Sequence, residues 1–188
     1  VFLMFYYVPD TNVAYQNIQQ YSSAVSFGLL VRNMHRWSAH LMVVSVTLHM
    51  IRVFYHGAYK PPREFNWVVR VLLFFVTLFL SFTGYLLPWD QIALWAITVG
   101  TNLAPYTPLL GGTVYQIMVG GAAVSQETLL RFYVAHVILL PLAGALLMAV
   151  HFWRIRKDGG EAGPPPPSRR ELEARAERAA VGAGAPRQ

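Results

Sequence analysis

The 188-residue sequence contains no cysteine. Disulfides, thiolate zinc sites, iron–sulfur ligation and covalent c-type haem attachment by this stretch are therefore excluded. Charge is scarce as well: Asp, Glu, Lys and Arg make up 13% of the chain against 55% hydrophobic residues, and nine acidic residues stand against 15 basic ones. Such a chain is neither a disordered polymer nor an ordinary soluble domain, which interleaves charges with its apolar positions. Its aromatic content of 14% and its long apolar runs point to a bilayer as solvent. The basic residues occupy short stretches between those runs, so the formal charge of +6 is a topology signal and not a nucleic-acid surface. There is also no initiator Met and no basic flank of a signal peptide, and the opening Val1 to Val8, VFLMFYYV, reads as the remnant of a first membrane helix.

What is present is a set of spans. Phe132 to Trp153 carries no charged residue, and Trp67 to Trp89 carries only Arg70. Each can cross about 30 Å of hydrocarbon. Phe27 to Tyr55 has an uncharged centre, Trp37 to Ile51, bounded by Arg36 and Arg52, and spans if those arginines lie near the interfaces or meet something anionic. The loop at 57–66 and the exit through Arg154, Arg156 and Lys157 are basic, which places them and the C-terminal tail in the cytoplasm. Residues 9–31 and 90–130 carry no Lys or Arg and fall on the outer face. The segment from Asp90 to Leu130 is long, apolar and broken by Pro105, Pro108, Gly111, Gly112, Gly120 and Gly121, a pattern that suits short helices lying along the membrane surface. The chain divides into a transmembrane region at 1–157 and a tail at 158–188. The tail has a Pro/Gly linker and a polar stretch, either disordered or a short helix capped by Ser168 with Glu171.

Four of the six histidines lie inside apolar spans, where an imidazole without a partner is costly. His35 and His49 are 14 residues apart, within about 40° of one helix face and about 21 Å apart along it. His136 and His151 are 15 apart, about 60° off in phase and about 22 Å apart. Because both spans run inward from the outer face, His35 is level with His136 and His49 with His151. Two facing imidazoles at each of two depths suit a haem iron with both axial positions filled, whereas zinc prefers four ligands. His40 and His56 are out of phase or too close to the helix end to join them.

These residues resemble a known family. Arg32-Asn33-Met34-His35-Arg36-Trp37, His49, Gly84-Tyr85-Leu86-Leu87-Pro88-Trp89-Asp90, and Arg131-Phe132-Tyr133-Val134-Ala135-His136 running to His151-Phe152-Trp153-Arg154-Ile155-Arg156-Lys157 resemble the N-terminal half of cytochrome b in its split, cytochrome b6 form. That form occurs in b6f complexes and in bacterial menaquinol:cytochrome c reductases, and the opening Phe-Tyr-Tyr-Val-Pro-Asp resembles the bacterial branch best. The resemblance implies an all-α, four-helix membrane bundle, here with its first helix truncated, that holds two b haems in a bacterial cell membrane. It assigns His35 and His136 to the outer haem and His49 and His151 to the inner one. Arg32, Arg36 and Arg156 are implied partners of haem propionates, and Gly84, Pro88, Trp89, Arg131 and Tyr133 line an outer quinol pocket.

The implied activity is oxidoreduction between quinol and cytochrome c, or a plastocyanin-type acceptor, coupled to proton translocation. Quinol is oxidised at the outer face, one electron goes to a Rieske iron–sulfur protein and on to a c-type cytochrome, and the other crosses through both haems to an inner quinone site. The implied partners are these proteins, membrane lipid, a second copy of the complex, and a second half of cytochrome b bearing Pro-Glu-Trp-Tyr, a motif this chain lacks. The sequence departs from the family at Arg70, where a second glycine 14 residues before Gly84 is usual, so that the backbone stands off or Arg70 meets an inner-haem propionate. The first-helix cysteine that carries an extra c-type haem in b6-type proteins falls outside this sequence. Taken alone, Gly84 reads equally as a helix-packing glycine and Pro88 as a helix terminator. A rival reading is a dihaem anchor that passes electrons between a soluble dehydrogenase and quinone. The Pro88-Trp89-Asp90 turn and the long segment before Arg131 favour the reductase.

Overall fold

The computed structural model describes residues 2–160, 167 and 169–183. Its elements are helical: a 3-10 turn at Phe2–Phe5, then α1 (Ala14–Ala24), α2 (Gly28–Tyr55), α3 (Glu64–Leu86), α4 (Gln91–Leu103), α5 (Gly111–Val119), α6 (Gln126–Val134), α7 (Leu140–Lys157) and α8 (Arg169–Ala183). A π-helical turn, Ala135–Leu139, joins α6 to α7 in one continuous rod. Three helices are long and apolar enough to cross a membrane: Gly28–Tyr55, Glu64–Leu86 and Gln126–Lys157. The expected spans are therefore present, the last starting six residues earlier than the run of uncharged residues. Among the described residues the opening segment contributes one 3-10 turn. Ser168, the expected cap of the tail helix, lies outside the described residues, while α8 itself carries an Arg169–Glu173 ion pair of 3.0 Å.

Helix α3 is the axis of the molecule, since both α2 and α7 pack against it. Large apolar side chains such as Trp37, Leu41, Leu48, Leu142 and Leu146 stay exposed on the outer surfaces. Hydrocarbon is the solvent in which such surfaces are stable, and a helix satisfies its own backbone groups there. We call the end with α1, α4, α5 and α6 the cap and the other, with the α2–α3 connection, the turn end.

The cap is the packed part. Leu86, Ala93, Ile97 and Phe132 form a buried cluster surrounded by Phe82, Trp89, Ala96, Met118 and Val124. Its local structure follows from the Pro88-Trp89-Asp90 triplet. Pro88 cannot continue α3, Trp89 takes a left-handed backbone at φ 52°, and the Asp90 carboxylate accepts from Ala93 N at 2.8 Å to cap α4. The short helices expected between Asp90 and Leu130 are present as α4 and α5. Helix α1 is an addition to the sequence reading, which gave 9–31 no element: the polar run Tyr15-Gln16-Asn17 to Ser23 offers little apolar periodicity, and α1 is held by packing on α2 and by Arg32 Nη1 donating to Ser22 Oγ at 3.1 Å.

Candidate haem-binding site

The four span histidines form two pairs. The His35 and His136 ring centroids are 6.0 Å apart at 85°, and those of His49 and His151 are 6.3 Å apart at 88°. A metal ion bonded to one nitrogen of each ring at about 2 Å, with the rings facing each other across it, places the centroids about 6 Å apart. Among the described residues no three His, Cys, Asp or Glu side chains converge as a closed metal site. Two imidazoles per level, an apolar surrounding and no further ligand fit a tetrapyrrole iron. His40 instead edges onto Trp37 at 5.8 Å, and His56 Nδ1 donates to the Arg52 carbonyl at 2.9 Å.

At the cap level α3 supplies the fit. A side-chain carbon on Gly84 would stand 2.5 Å from His136 Cε1 and 3.0 Å from Nδ1, so only a glycine lets the ring lie against α3 here. The same bare position uncovers the Leu80 carbonyl one helical turn earlier, which accepts from His136 Nδ1 at 3.0 Å. Thr83 Oγ1 is 3.2 Å from that nitrogen and donates to Phe79 O at 2.7 Å. A proton held on Nδ1 leaves the Nε2 lone pair for a metal.

At the turn level the partner is a side chain. His151 is buried, and its Nδ1 donates to Asn66 Oδ1 at 2.8 Å. Asn66 and Gly84 are 18 residues apart on α3, about five full turns, and Arg70 and Thr77 share their phase within about 40°. One stripe of α3 therefore faces both histidine levels. Asn66, Thr83 and the Leu80 carbonyl are absent from the sequence-derived site; the signal that marks Asn66 is its place on that polar and small-residue stripe of an apolar helix.

The π-turn resolves a mismatch in spacing. In a regular helix 15 residues leave His136 and His151 about 60° apart, on the other side of the phase from the 14-residue pair on α2. Leu140 N donates to Ala135 O, an i to i+5 bond, and such a turn absorbs one residue more than an α-turn. The 15 residues then cover the rotation of about 14, matching His35 and His49. Pro141 gives the reason: it has no N–H for the i−4 bond and its ring crowds the Val137 carbonyl, so the preceding turn widens.

The remaining predicted residues separate. Trp89 packs on the cluster containing Phe132. Tyr133 stacks on Tyr7 with centroids 5.5 Å apart and planes 29° apart. Tyr7, unmarked in the sequence, also donates its hydroxyl to Leu87 O at 2.6 Å, tying the Pro88–Trp89 turn to α6. A reciprocal pair, Gln126 Nε2 to Pro9 O at 2.7 Å and Thr11 N to Gln126 Oε1 at 2.8 Å, straps the opening segment to the same place. Arg131 is turned to α5, donating to Ile117 O at 2.7 Å and lying against Gly120, whose φ is 81°. It thereby caps the carbonyl end of α5.

Arg32 reaches α1 as described, and Arg36 and Arg156 are exposed. Arg154 pairs with Asp158 at 2.8 Å. Arg70 is buried, with Nη1 donating to the Ala58 carbonyl at 3.3 Å.

The family model for cytochrome b/b6/petB matches residues 1–159. The chain is 51% identical over 160 residues to the menaquinol:cytochrome c reductase cytochrome b subunit of Bacillus subtilis (strain 168), covering 85% of this chain and 71% of that protein. It is 45% identical over 159 residues to cytochrome b6 of Heliomicrobium gestii, covering 85% and 75%. Among solved structures, a chain titled hyperthermophilic respiratory Complex III aligns at a TM-score of 0.73 and 28% identity over 97% of this chain and 52% of its own, so this chain spans about half of that relative's length. With two level pairs of imidazoles, a glycine seating one of them, and a family match over 1–159, the chain belongs to the cytochrome b/b6 family.

Proposed function

We propose that this chain is the dihaem subunit of a menaquinol- or related quinol-oxidising, cytochrome-reducing membrane complex. The observation that carries the reading is the pair of imidazole pairs, 6.0 and 6.3 Å apart, at two levels of one bundle. His35 and His136 would hold the outer b haem, His49 and His151 the inner one. Bound there, the haems supply one-electron carriers at two depths of the membrane. The chain's own contribution is to hold the rings and to keep the Nδ1 protons of His136 and His151 on fixed acceptors.

In this reading the cap faces outward, with 9–31 and 90–130 outside and 57–66 and the tail in the cytoplasm of a bacterial cell. Gly84, Pro88, Trp89, Arg131 and Tyr133 belong to or support an outer quinol pocket completed by a second half of cytochrome b. Gly84 lies against His136 and Arg131 donates to the α5 carbonyls, while Tyr7 joins the Pro88–Trp89 turn to Tyr133, a link that supports grouping the last three at one pocket. Arg32, Arg36 and Arg156 are proposed to meet propionates, and Arg70 the inner one. A Rieske protein and a c-type cytochrome take the first electron, the second crosses to an inner quinone site, and proton translocation follows from the two quinone sites lying on opposite faces. A dimeric assembly and a further c-type haem held through a first helix belong to the same proposal.

The test is a haem count on the purified complex by pyridine haemochrome. Two haems per chain are expected in the native complex and in the His40→Ala and His56→Ala variants. His49→Ala or His151→Ala should leave one, and His35→Ala or His136→Ala should leave one and stop quinol oxidation. Two haems retained in the His35→Ala variant, with loss in His40→Ala, rejects the assignment.

A further inference from the structure

The two levels differ in what holds the histidine of the α6–α7 rod. At the cap level the acceptor is a main-chain carbonyl, Leu80 O, which no substitution of Leu80 removes. At the turn level it is the side-chain oxygen of Asn66, 2.8 Å from His151 Nδ1. Asn66 is 2% exposed and sits in the first turn of α3, so its amide does not exchange this bond for water. An acceptor on the far nitrogen of a ligating imidazole fixes its tautomer and ring plane and raises its basicity, and a more basic imidazole favours the oxidised metal. The strength of that acceptor is therefore written into one replaceable residue at the turn level and into the backbone at the cap level.

We propose that Asn66 is the positioning residue for His151 and sets the potential of the turn-level haem independently of the cap-level haem. This rests on the dihaem reading above. No polar side chain of α3 that a substitution could remove stands as the sole acceptor of His136, because Leu80 O lies nearer its Nδ1 than Thr83 Oγ1 does.

The experiment is a potentiometric titration of both haems in the purified complex, with EPR of the oxidised form, for the native protein, Asn66→Leu and Asn66→Asp. Asn66→Leu keeps about the same volume without an acceptor. It should shift the turn-level haem toward the reduced state by roughly tenfold, about 59 mV upward for one electron. Asn66→Asp keeps the shape and offers a stronger acceptor, so its shift should have the opposite sign. In both, the low-spin signal of the turn-level haem should move while that of the cap-level haem stays. If the leucine variant loses the haem, the aspartate variant decides: a lowered potential confirms the role, and an unmoved one overturns it. Equal shifts of both haems in either variant also overturn it. Haem content of the His151→Ala variant, measured alongside, separates the two levels of inference. One haem left there with no Asn66 effect rejects the Asn66 role alone, whereas two left rejects the dihaem reading and this role with it.

Discussion

The cap level and the turn level present the same pair of rings at nearly the same separation, yet they are built differently. At the cap, His136 sits in a π-turn forced by Pro141, against a glycine, with its proton on a backbone carbonyl. At the turn end, His151 sits in regular helix with its proton on a buried amide side chain. The contrast shows that equal ring geometry does not require equal support. Backbone support is exposed to changes in packing space and register; side-chain support is exposed to changes in acceptor chemistry.

The largest effects come from disturbing register. Removing Met148, within regular α7, rotates His136 and His151 apart by about 100° and should cost one haem per chain. Removing Ile138, inside the π-turn, turns the wide turn into an ordinary one and leaves the 14-residue rotation intact, so haem content should stay at two. Equal loss in the two deletions would show that the π-turn absorbs nothing. Next is Gly84→Ala, whose added carbon meets the His136 ring at 2.5 Å. The cap-level haem should be lost or much reduced by haemochrome and EPR, with the turn-level haem kept. Alanine favours a helix over glycine by about 1 kcal/mol, so a loss cannot be put down to a weaker α3. Unchanged haem content would mean that the ring has other room. The smallest effect is Arg70→Gly. It removes a buried cation at the turn end and restores the small residue at that position, so redox titration should show the turn-level potential moved and the cap-level one in place; equal movement of both would reject a local role for Arg70.

Much of this was legible from residues alone. Uncharged runs longer than a bilayer is thick must be spans, because an unpaired charge or backbone group in hydrocarbon is costly, and the structure has helices at all three. Histidines at spacings of 14 and 15 on two such spans had to be level, since helix rise per residue is fixed. The triplet Pro88-Trp89-Asp90 marked a helix end and a helix start for local reasons of ring closure and capping.

Helix α1 was not legible, since its stability comes from packing on α2 more than from its own periodicity. The strap of Tyr7, Pro9 and Thr11 was equally silent, because hydrogen bonds between residues 80 and 115 or more positions apart leave no local pattern. The partners of Arg131 were silent for the same reason, since its guanidinium reaches the carbonyls of α5, 14 and 15 positions earlier. Sequence by itself determined the spans and the pairing of four histidines at two levels, which follow from helix periodicity and the cost of polar groups in lipid. Only the tertiary structure decided that Gly84, Thr83 and the Leu80 carbonyl of α3 meet His136, that Pro141 widens the turn, and that Asn66 receives the His151 proton, because each depends on which faces of two distant helices come together.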